Sequence, residues 1–322
     1  MGAPNLRWGL IGCGDISEKR VAPALRDAPA SRLLAVARAR AELAADFARR
    51  HGAAKSHADW RALVRDPEVD AVYVATPVRM HAEQTIAALE AGKHVLVEKP
   101  MAMSVAECER MIAAARAANR RLGVAYYRHL YPAVKRLREL LGKGELGEPV
   151  LLEIQAFERF DPGPDHPRAW LLRKAESGGG PMMDFGCHRL EILLDLLGPA
   201  REVRAERSNV LFKSREVEDT CSAHLRFLKG VGIVTVSHAS REARDSVDLY
   251  GSEGSVHIDV LNQGRLRIVT PNGTREEAHP PHANLHQPIV DDFVAAVHDE
   301  REPAVTGAAG LAVNRVLEAI YA

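Results

Sequence analysis

Short apolar runs alternate with amphipathic stretches through the first third of the chain. Unbroken apolar runs are typical of strands buried on both faces of a parallel sheet. The predicted strands cover residues 6–11, 33–37, 54–56, 69–75, 95–97 and 122–126. Helical patterns lie between them at residues 39–51, 80–91 and 104–119. This alternation predicts an α/β Rossmann domain, a doubly wound parallel sheet that binds a nucleotide, over residues 1–124.

From residue 125 onward, strand patterns follow one another with short turns. These strands are predicted at residues 150–157, 202–210, 220–227, 231–237, 246–250, 255–259 and 265–269. Helices are predicted at residues 132–141, 184–197, 287–297 and 308–321. Successive strands with short turns favour an antiparallel sheet. Residues 125–322 are therefore predicted to form an α+β domain with a large, mainly antiparallel open sheet.

Composition narrows the choice of partners and compartment. The 322 residues include 43 Lys plus Arg and 43 Asp plus Glu, so no excess charge favours nucleic acid or a membrane surface. No apolar run reaches transmembrane length, and the first residues lack a signal-peptide pattern. The four cysteines are scattered and form no Cys-x-x-Cys pair. We expect a cytoplasmic enzyme that acts on a small molecule.

A lysine stands at the end of one predicted buried strand. Residues 95–97 are apolar and run directly into Glu98, Lys99 and Pro100. Proline cannot continue the ladder, so the strand should end at Glu98 or Lys99. Open α/β sheets bind their ligands at the carboxyl ends of their strands. Lys99 is therefore predicted to lie at the centre of the active site.

The first strand leads into a glycine-rich turn, Gly12-Cys13-Gly14-Asp15-Ile16-Ser17. This pattern is the dinucleotide fingerprint with serine in place of its third glycine. The alternative is a plain strand-to-helix turn, but the regular α/β alternation around it favours a nucleotide site. The residues predicted to bind the pyrophosphate are Gly12, Cys13, Gly14, Asp15 and Ile16.

The end of the second strand bears on the choice of cofactor. An NAD site usually places Asp or Glu there to hold the ribose hydroxyls. This chain has Arg38 instead, with no carboxylate before Glu42. Arginine can pair with a 2′-phosphate, which favours NADP over NAD. The alternative is that Arg38 is only a solvent-facing residue.

A second candidate group follows the run Gly178-Gly179-Gly180. Asp184 and His188 are four residues apart and share one face of the predicted helix. Such a pair could merely steady the helix. Beside a nucleotide domain with a lysine at a strand end, a catalytic role is favoured.

These motifs, with Ala75-Thr76-Pro77, His81 and Gly92-Lys93-His94-Val95, are similar to those of the glucose–fructose oxidoreductase, inositol dehydrogenase and MocA (Gfo/Idh/MocA) family. The resemblance implies hydride transfer between a nicotinamide and the hydroxyl or carbonyl carbon of a sugar, cyclic polyol or related molecule. It also implies a cis Lys99–Pro100 bond, and a homodimer or homotetramer formed through the outer face of the C-terminal sheet.

The resemblance also assigns residues. It implies a catalytic group of Lys99, Asp184 and His188. Further dinucleotide contacts are implied for Thr76, Pro77, His81, Glu98 and Lys99. Substrate contacts are expected from Lys99, Tyr127, Arg128, Trp170, Asp184 and His188, although Trp170 could equally serve domain packing.

The residue types suit this chemistry. An imidazole titrates near neutral pH, so His188 is suited to general acid or base work. Lys99 can stabilise negative charge on the substrate oxygen or share the proton, and Asp184 can orient a hydroxyl. Whether Lys99 or His188 transfers the proton stays open here.

Three alternatives remain. The substrate could be a non-sugar such as a dihydrodiol or a tetrapyrrole-like molecule. The protein could be a dinucleotide sensor without turnover, although such a protein would be free to lose Lys99, Asp184 and His188. The third is a metal site formed by His279, His282 and His286. Prolines and the lack of an acidic partner instead favour a surface or substrate-lining loop, so no metal is predicted.

Overall fold

The computed structural model describes residues 5–322. Residues 1–4 belong to the segment in which no signal-peptide pattern is expected, and they lie outside the described part. The chain packs as two units. One runs to Tyr127 and includes Ala283–Asn314, and the other comprises Arg128–His282 with Arg315–Ala322. The first contains a six-stranded parallel sheet and the second an eight-stranded, mainly antiparallel sheet. The predicted fold class is confirmed.

The parallel sheet has the strand order of dinucleotide-binding domains, β3-β2-β1-β4-β5-β6. Its strands are β1 (Leu6–Ile11), β2 (Ser31–Ala37), β3 (Lys55–His57), β4 (Ala71–Val74), β5 (His94–Val97) and β6 (Leu122–Val124). The helices between them are α1 (Ala22–Asp27), α2 (Ala41–His51), α3 (Trp60–Val64), α4 (His81–Glu90) and α5 (Val105–Ala118). All four residues of β4 are buried, as expected for a central strand covered on both faces.

The second unit contains α6 (Pro132–Gly142), α7 (Lys174–Ser177), α8 (Cys187–Leu197) and the larger sheet. Its strands are β7 (Pro149–Phe157), β8 (Glu202–Ser208), β9 (Thr220–Arg226), β10 (Val231–Ser237), β11 (Arg244–Gly251), β12 (Ser255–Ile258), β13 (Arg265–Thr270) and β14 (Gly273–Ala278). Their order is β14-β13-β12-β11-β7-β10-β9-β8. Adjacent strands are antiparallel except β7 and β10, which run parallel.

Burial alternates along the strands of this sheet. On β7, Leu152, Ile154 and Ala156 are buried, whereas the residues between them are partly exposed. One face of the sheet is therefore covered, in part by α8, and the other is open. Strand β14 was not predicted, because its sequence is almost entirely exposed and polar and carries no apolar alternation.

The last two helices are α9 (Gln287–His298) and α10 (Gly307–Tyr321). Phe293 on α9 lies against Trp8 of β1, with ring centroids 5.5 Å apart. A Cβ on Gly123 of β6 would lie 2.9 Å from the Phe293 ring. Because α9 covers the parallel sheet in this way, residues 283–314 belong to the first unit, whereas the sequence division placed them in the second. Among residues 5–322, no helix combines the length and apolar character needed to cross a bilayer.

Candidate active site

The turn after β1 has a geometry that suits a dinucleotide pyrophosphate. Gly12 has φ +96°, and a Cβ on it would lie 2.5 Å from the Ala75 carbonyl oxygen, so glycine is required. A Cβ on Gly14 would meet no described atom within 4 Å, which leaves space for a ligand beside the backbone. Ser17 is fully buried, and its hydroxyl donates to the Gly12 carbonyl oxygen at 2.5 Å. Serine at the third fingerprint position thus closes the turn with a hydrogen bond.

The other residues of this turn differ in exposure. Asp15 is exposed, Ile16 is half-buried and Cys13 is buried. The Cys13 Sγ lies 3.6 Å from the Ala37 carbonyl oxygen at the end of β2. Burial raises the pKa of the Cys13 thiol to about 12, and the nearby Arg38 charge offsets only part of that effect. Cys13 is therefore a neutral packing residue, and only its backbone is suited to contact a phosphate.

Arg38 follows β2 directly. It is half-exposed, and its backbone N–H donates to the His57 carbonyl oxygen at 3.1 Å. The first carboxylate after the strand, Glu42, is exposed on α2. The end of β2 thus presents a guanidinium where NAD-specific sites usually present a carboxylate.

The turn after β4 is joined to the end of β5 by His81. His81 is 1% exposed, and its ring nitrogens lie 2.8 Å from the Thr76 carbonyl oxygen and 3.0 Å from that of Pro100. Burial lowers the pKa of His81, so the neutral ring donates to one of these carbonyls. Thr76 and Pro77 remain half-exposed. His81 thus joins the turn after β4 to the end of β5 from a buried position.

Lys99 follows β5 and is linked to Pro100 by a cis peptide bond, which confirms that expectation. Its neighbour Glu98 is 7% exposed. One Glu98 oxygen accepts the Tyr73 hydroxyl at 2.8 Å and lies 3.1 Å from His286 Nε2. The other accepts the Lys99 backbone N–H at 3.2 Å. Glu98, Tyr73 and His286 are called the Glu98 cluster below.

The Glu98 cluster stabilises a buried negative charge. Burial acts to raise the pKa of Glu98, but the hydrogen bond and charge of His286, the charge of Lys99 and the Tyr73 hydroxyl outweigh it. The pKa of Glu98 is consequently about 2. An anion is therefore fixed next to the lysine that the sequence placed at the centre of the site.

His286 is a residue of this site whose role sequence analysis missed. It is 0% exposed, and its ring stacks on Tyr127 with centroids 4.5 Å apart. The assumption that the histidine-rich segment lacks acidic partners is wrong, because His286 contacts Glu98 and His279 lies 2.8 Å from Glu277. The available signal was the histidine-rich segment itself, since Glu98 is 188 residues away along the chain.

The glycine run of the second unit is required by close packing. Gly178 ends α7 with φ +82°. A Cβ on Gly179 would lie 2.2 Å from the Tyr321 hydroxyl, and one on Gly180 would lie 2.0 Å from the Glu218 carbonyl oxygen. The Glu218 carboxylate accepts the Gly180 N–H at 2.9 Å and the Tyr321 hydroxyl at 2.6 Å. Glu218 and Tyr321 thus fix the chain just before the helical segment that carries Asp184 and His188.

Asp184 lies in a π-helical turn, Met182–Gly186, that continues into α8. Turns of this kind are frequent at functional sites. His188 is in the first turn of α8 and is 1% exposed, so the two residues share one continuous helical segment. Asp184 Oδ2 accepts a hydrogen bond from Arg168 Nη2 at 2.9 Å, and His238 Nε2 lies 3.6 Å from the same oxygen. Sequence analysis singled out neither Arg168 nor His238.

The predicted substrate residues are mostly buried. Tyr127 and Arg128 are 8% and 7% exposed, and Trp170 is half-buried in a short 3₁₀ turn. The Arg128 guanidinium lies 3.8 Å from one oxygen of Asp245, whose other oxygen pairs with Arg189. Arg128 is therefore oriented by a charged network within its own unit.

Comparison with known proteins finds a matching protein family for an N-terminal and for a C-terminal part of the chain. Residues 6–126 match the family described as "Oxidoreductase family, NAD-binding Rossmann fold", and residues 134–257 match the "GFO/IDH/MocA C-terminal domain". The chain is 33% identical over 313 residues to 1,5-anhydro-D-fructose reductase of Ensifer adhaerens, covering 95% of this chain and 92% of that protein. It is 30% identical over 278 residues to trans-1,2-dihydrobenzene-1,2-diol dehydrogenase of Mus musculus, covering 86% and 80%.

A solved structure agrees with these sequence matches. Levoglucosan dehydrogenase in complex with NADH and levoglucosan has a TM-score of 0.89 and 27% identity, with 98% of this chain and 96% of that chain covered. The two matched segments carry the glycine turn, Lys99, Asp184 and His188. The chain is an oxidoreductase and belongs to the Gfo/Idh/MocA family.

Proposed function

We propose that this protein is an NAD(P)-dependent oxidoreductase that reduces the carbonyl carbon of a sugar or anhydrosugar, with NADPH as the preferred reductant. The observation that carries the proposal is the placement of Lys99 at the carboxyl end of β5 beside Glu98, whose lowered pKa keeps it ionised at neutral pH. The relatives named above that act on 1,5-anhydro-D-fructose and levoglucosan support the substrate class.

The residues of the first unit fit the cofactor. The open space beside Gly14 and the backbone of residues 12–16 suit a pyrophosphate. We expect Arg38, which follows β2, to pair with a 2′-phosphate. Thr76, Pro77 and Glu98–Lys99 follow the neighbouring strands β4 and β5. When bound, the dinucleotide supplies the hydride in reduction or accepts it in oxidation.

The protein side chains then stabilise the substrate and move the proton. Lys99 donates a hydrogen bond to the substrate oxygen and stabilises its developing negative charge. His188 or Lys99 delivers a proton to that oxygen as the carbon gains the hydride, and Asp184 orients a neighbouring hydroxyl.

Replacing His188 by Gln distinguishes the two proton donors. If His188 is the donor, the plot of kcat against pH for the variant loses its step near neutral pH. If Lys99 is the donor, that step remains in the plot for the variant.

Fluorescence titration with NADH and NADPH tests the cofactor proposal. We expect NADPH to bind about tenfold more tightly than NADH, and Arg38→Ala to remove that difference. Tighter binding of NADH, or an Arg38→Ala variant with unchanged preference, would overturn the assignment of Arg38. Binding of neither dinucleotide would overturn the enzyme proposal itself.

A substrate screen tests the reaction. We expect turnover with 1,5-anhydro-D-fructose or a related keto- or aldo-sugar and NADPH. The 30% identical dihydrodiol dehydrogenase supports a second candidate, oxidation of a dihydrodiol with NADP, so that substrate belongs in the same screen. Dinucleotide binding without turnover of sugars, polyols or dihydrodiols would instead favour the sensor alternative.

The open face of the eight-stranded sheet is proposed to form a homo-oligomer. Val231 of β10 and Tyr250 of β11 are each 39% exposed, and both pair with Leu151 of β7, so the three side chains lie next to one another on the open face. An exposed apolar patch on central strands favours a contact with a second copy. Light scattering should give the molar mass of a dimer or tetramer. Tyr250→Glu should lower the molar mass toward that of a monomer. Cys13, Cys108, Cys187 and Cys221 form no disulfide bond with one another, which supports a reducing compartment such as the cytoplasm.

A further inference from the structure

Sheet topology brings Glu158 and His238 together next to Asp184. Strands β7 and β10 run parallel, and their last residues, Phe157 and Ser237, are paired. Residues that follow two parallel neighbours leave the sheet at the same edge, and the Glu158 N–H donates to the Ser237 carbonyl oxygen at 2.9 Å. Asp184 comes from the π-helical turn that packs against β10. Glu158, Asp184 and His238 are called the Asp184 cluster below.

His238 is buried without the hydrogen bonds that an imidazole usually makes. It is 0% exposed, and neither ring nitrogen has a hydrogen-bond partner among residues 5–322. Its Nε2 lies 3.6 Å from Glu158 Oε1 and 3.6 Å from Asp184 Oδ2. Glu158 Oε1 is also buried and lacks a hydrogen-bond partner in the described chain. Buried polar atoms are seldom left unpaired, so these two atoms are suited to hold a ligand that binds between them.

The arrangement of donor atoms suits a metal ion. The Asp184 cluster offers one imidazole nitrogen and two carboxylate oxygens, all within 4.8 Å of one another. Zinc binds such atoms at about 2.0–2.2 Å, so ligands of one tetrahedral ion lie about 3.3 Å apart. The 3.6 Å distances in the cluster exceed that value by only a few tenths of an ångström. The rings of Phe160 and Phe185, with centroids 5.0 and 5.2 Å from that of His238, hold the imidazole in place.

We propose that the Asp184 cluster binds a divalent metal ion of the zinc class, in exchange with the guanidinium of Arg168. Imidazole nitrogen and carboxylate oxygen are both zinc ligands, and three protein ligands leave a fourth position for water, as in zinc sites that exchange ligands. Arg168 is the cation that now neutralises the cluster, with Nη2 2.9 Å from Asp184 Oδ2 and 3.7 Å from Glu158 Oε1.

Arg168 borders the cluster from a partly exposed position. Its side chain is 39% exposed, and it packs over the Phe160 ring at 4.5 Å. Because guanidinium and metal ion compete for the same carboxylate oxygens, removal of Arg168 should strengthen metal binding. This response distinguishes the proposed site from one in which Arg168 merely supports the fold.

Metal binding has a consequence for catalysis that rests on the proposed function. A metal ion coordinated by Asp184 withdraws that carboxylate from the substrate. Zinc-class ions should therefore inhibit turnover reversibly, while dinucleotide binding to the first unit is unchanged. A chelator should restore the rate.

The test uses the full chain after chelator treatment and gel filtration. Co²⁺ is titrated as a probe, because its visible absorption reports tetrahedral nitrogen and oxygen ligands, and Zn²⁺ is then added in competition. We expect one Co²⁺ per chain, displaced by Zn²⁺. His238→Phe should weaken binding about 100-fold or more, and Arg168→Ala should strengthen it about tenfold.

Matched variants make the outcome decisive. Phenylalanine fits a ring site already bordered by Phe160 and Phe185, and Glu158→Gln provides a second ligand change if His238→Phe fails to fold. His279→Asn removes a histidine that also faces a carboxylate, and it should leave Co²⁺ binding unchanged. The proposal is overturned if neither the wild type nor Arg168→Ala binds Co²⁺, which would leave a trapped water as the ligand. It is also overturned if binding depends on His279 rather than His238.

Failure of this proposal is separable from failure of the proposed function. Co²⁺ binding is read without substrate or dinucleotide. A chain that binds Co²⁺ as expected but reduces no sugar overturns the proposed function and supports the metal site. A chain that reduces sugars but binds no Co²⁺ overturns the metal site alone.

Discussion

Two buried histidines of this protein face carboxylates in different ways. His286 and His238 are both 0% exposed. His286 Nε2 lies within hydrogen-bond distance of Glu98, at 3.1 Å, whereas His238 Nε2 lies 3.6 Å from each of its two carboxylates. One ring nitrogen of His286 is therefore paired, and neither ring nitrogen of His238 has a hydrogen-bond partner in the described chain.

This difference in hydrogen bonding distinguishes the Glu98 cluster, which supports the site, from the Asp184 cluster, which is able to bind a ligand. In the Glu98 cluster, both carboxylate oxygens accept donors from the protein, so the charge beside Lys99 is fixed before any ligand binds. In the Asp184 cluster, a buried nitrogen and a buried oxygen keep their bonding capacity. We infer that the first cluster contributes mainly to stability and to the position of Lys99, and the second mainly to binding.

The largest expected effect comes from Lys99, the residue that the Glu98 cluster supports. Lys99→Met should lower kcat about a thousandfold, because the variant loses the donor that stabilises charge on the substrate oxygen. NADPH binding should change little. Steady-state rates and fluorescence titration measure the two quantities, and Lys135→Met on the exposed side of α6 is the control. Full activity in Lys99→Met would remove Lys99 from the catalytic group.

The second prediction concerns the partner of Glu98. His286→Phe keeps a ring against Tyr127 but removes a donor from a buried carboxylate. We expect the free energy of unfolding to fall by about 3 kcal/mol, as measured by urea denaturation at neutral pH. A loss below 1 kcal/mol would show that His286 does not stabilise Glu98, and the contrast between the two clusters would fail.

Features set by neighbouring residues were predictable from the sequence. The apolar run before Glu98 identified β5, and proline after Lys99 identified its end, since both signals are local. The placement of Asp184 and His188 on one helical segment was also predictable, because the two residues are only four positions apart. The exposed strand β14 was missed, because a polar edge strand has no apolar alternation to detect.

Features that depend on distant residues were not predictable. Gly179 is required by the Tyr321 ring, and Glu98 is held by His286. In each pair the partners are more than a hundred residues apart, so no local pattern joins them. His238 lies at the end of a strand like many other polar residues, and only the pairing of β7 with β10 shows that it faces Glu158.

The third prediction uses the depressed pKa of Glu98. Its folded-state pKa is about 2, against 4.5 for an unperturbed glutamate, so its charge stabilises the fold above pH 4.5. That stabilisation is lost as pH falls from 4.5 toward 2, since the unfolded chain takes up the proton first. The stability difference between wild type and Glu98→Gln should therefore shrink below pH 4.5, by about 1.4 kcal/mol per pH unit.

Urea denaturation at pH 6, 5, 4 and 3.5 measures this difference directly. The charged and titratable groups that face Glu98 are His286, Lys99 and Tyr73, and they are present in both proteins. A difference that stays constant down to pH 3.5 would show that Glu98 does not carry a buried charge.

The smallest expected effect is the most direct test of the contrast between the Glu98 cluster and the Asp184 cluster. His238→Phe makes the same replacement as His286→Phe in an equally buried position, but it removes no hydrogen bond within the described chain. We expect the free energy of unfolding to change by less than about 1 kcal/mol in chelator-treated protein. A loss equal to that of His286→Phe would mean that His238 is held by its carboxylate neighbours as firmly as His286, and would contradict the view that the Asp184 cluster keeps its bonding capacity for a ligand.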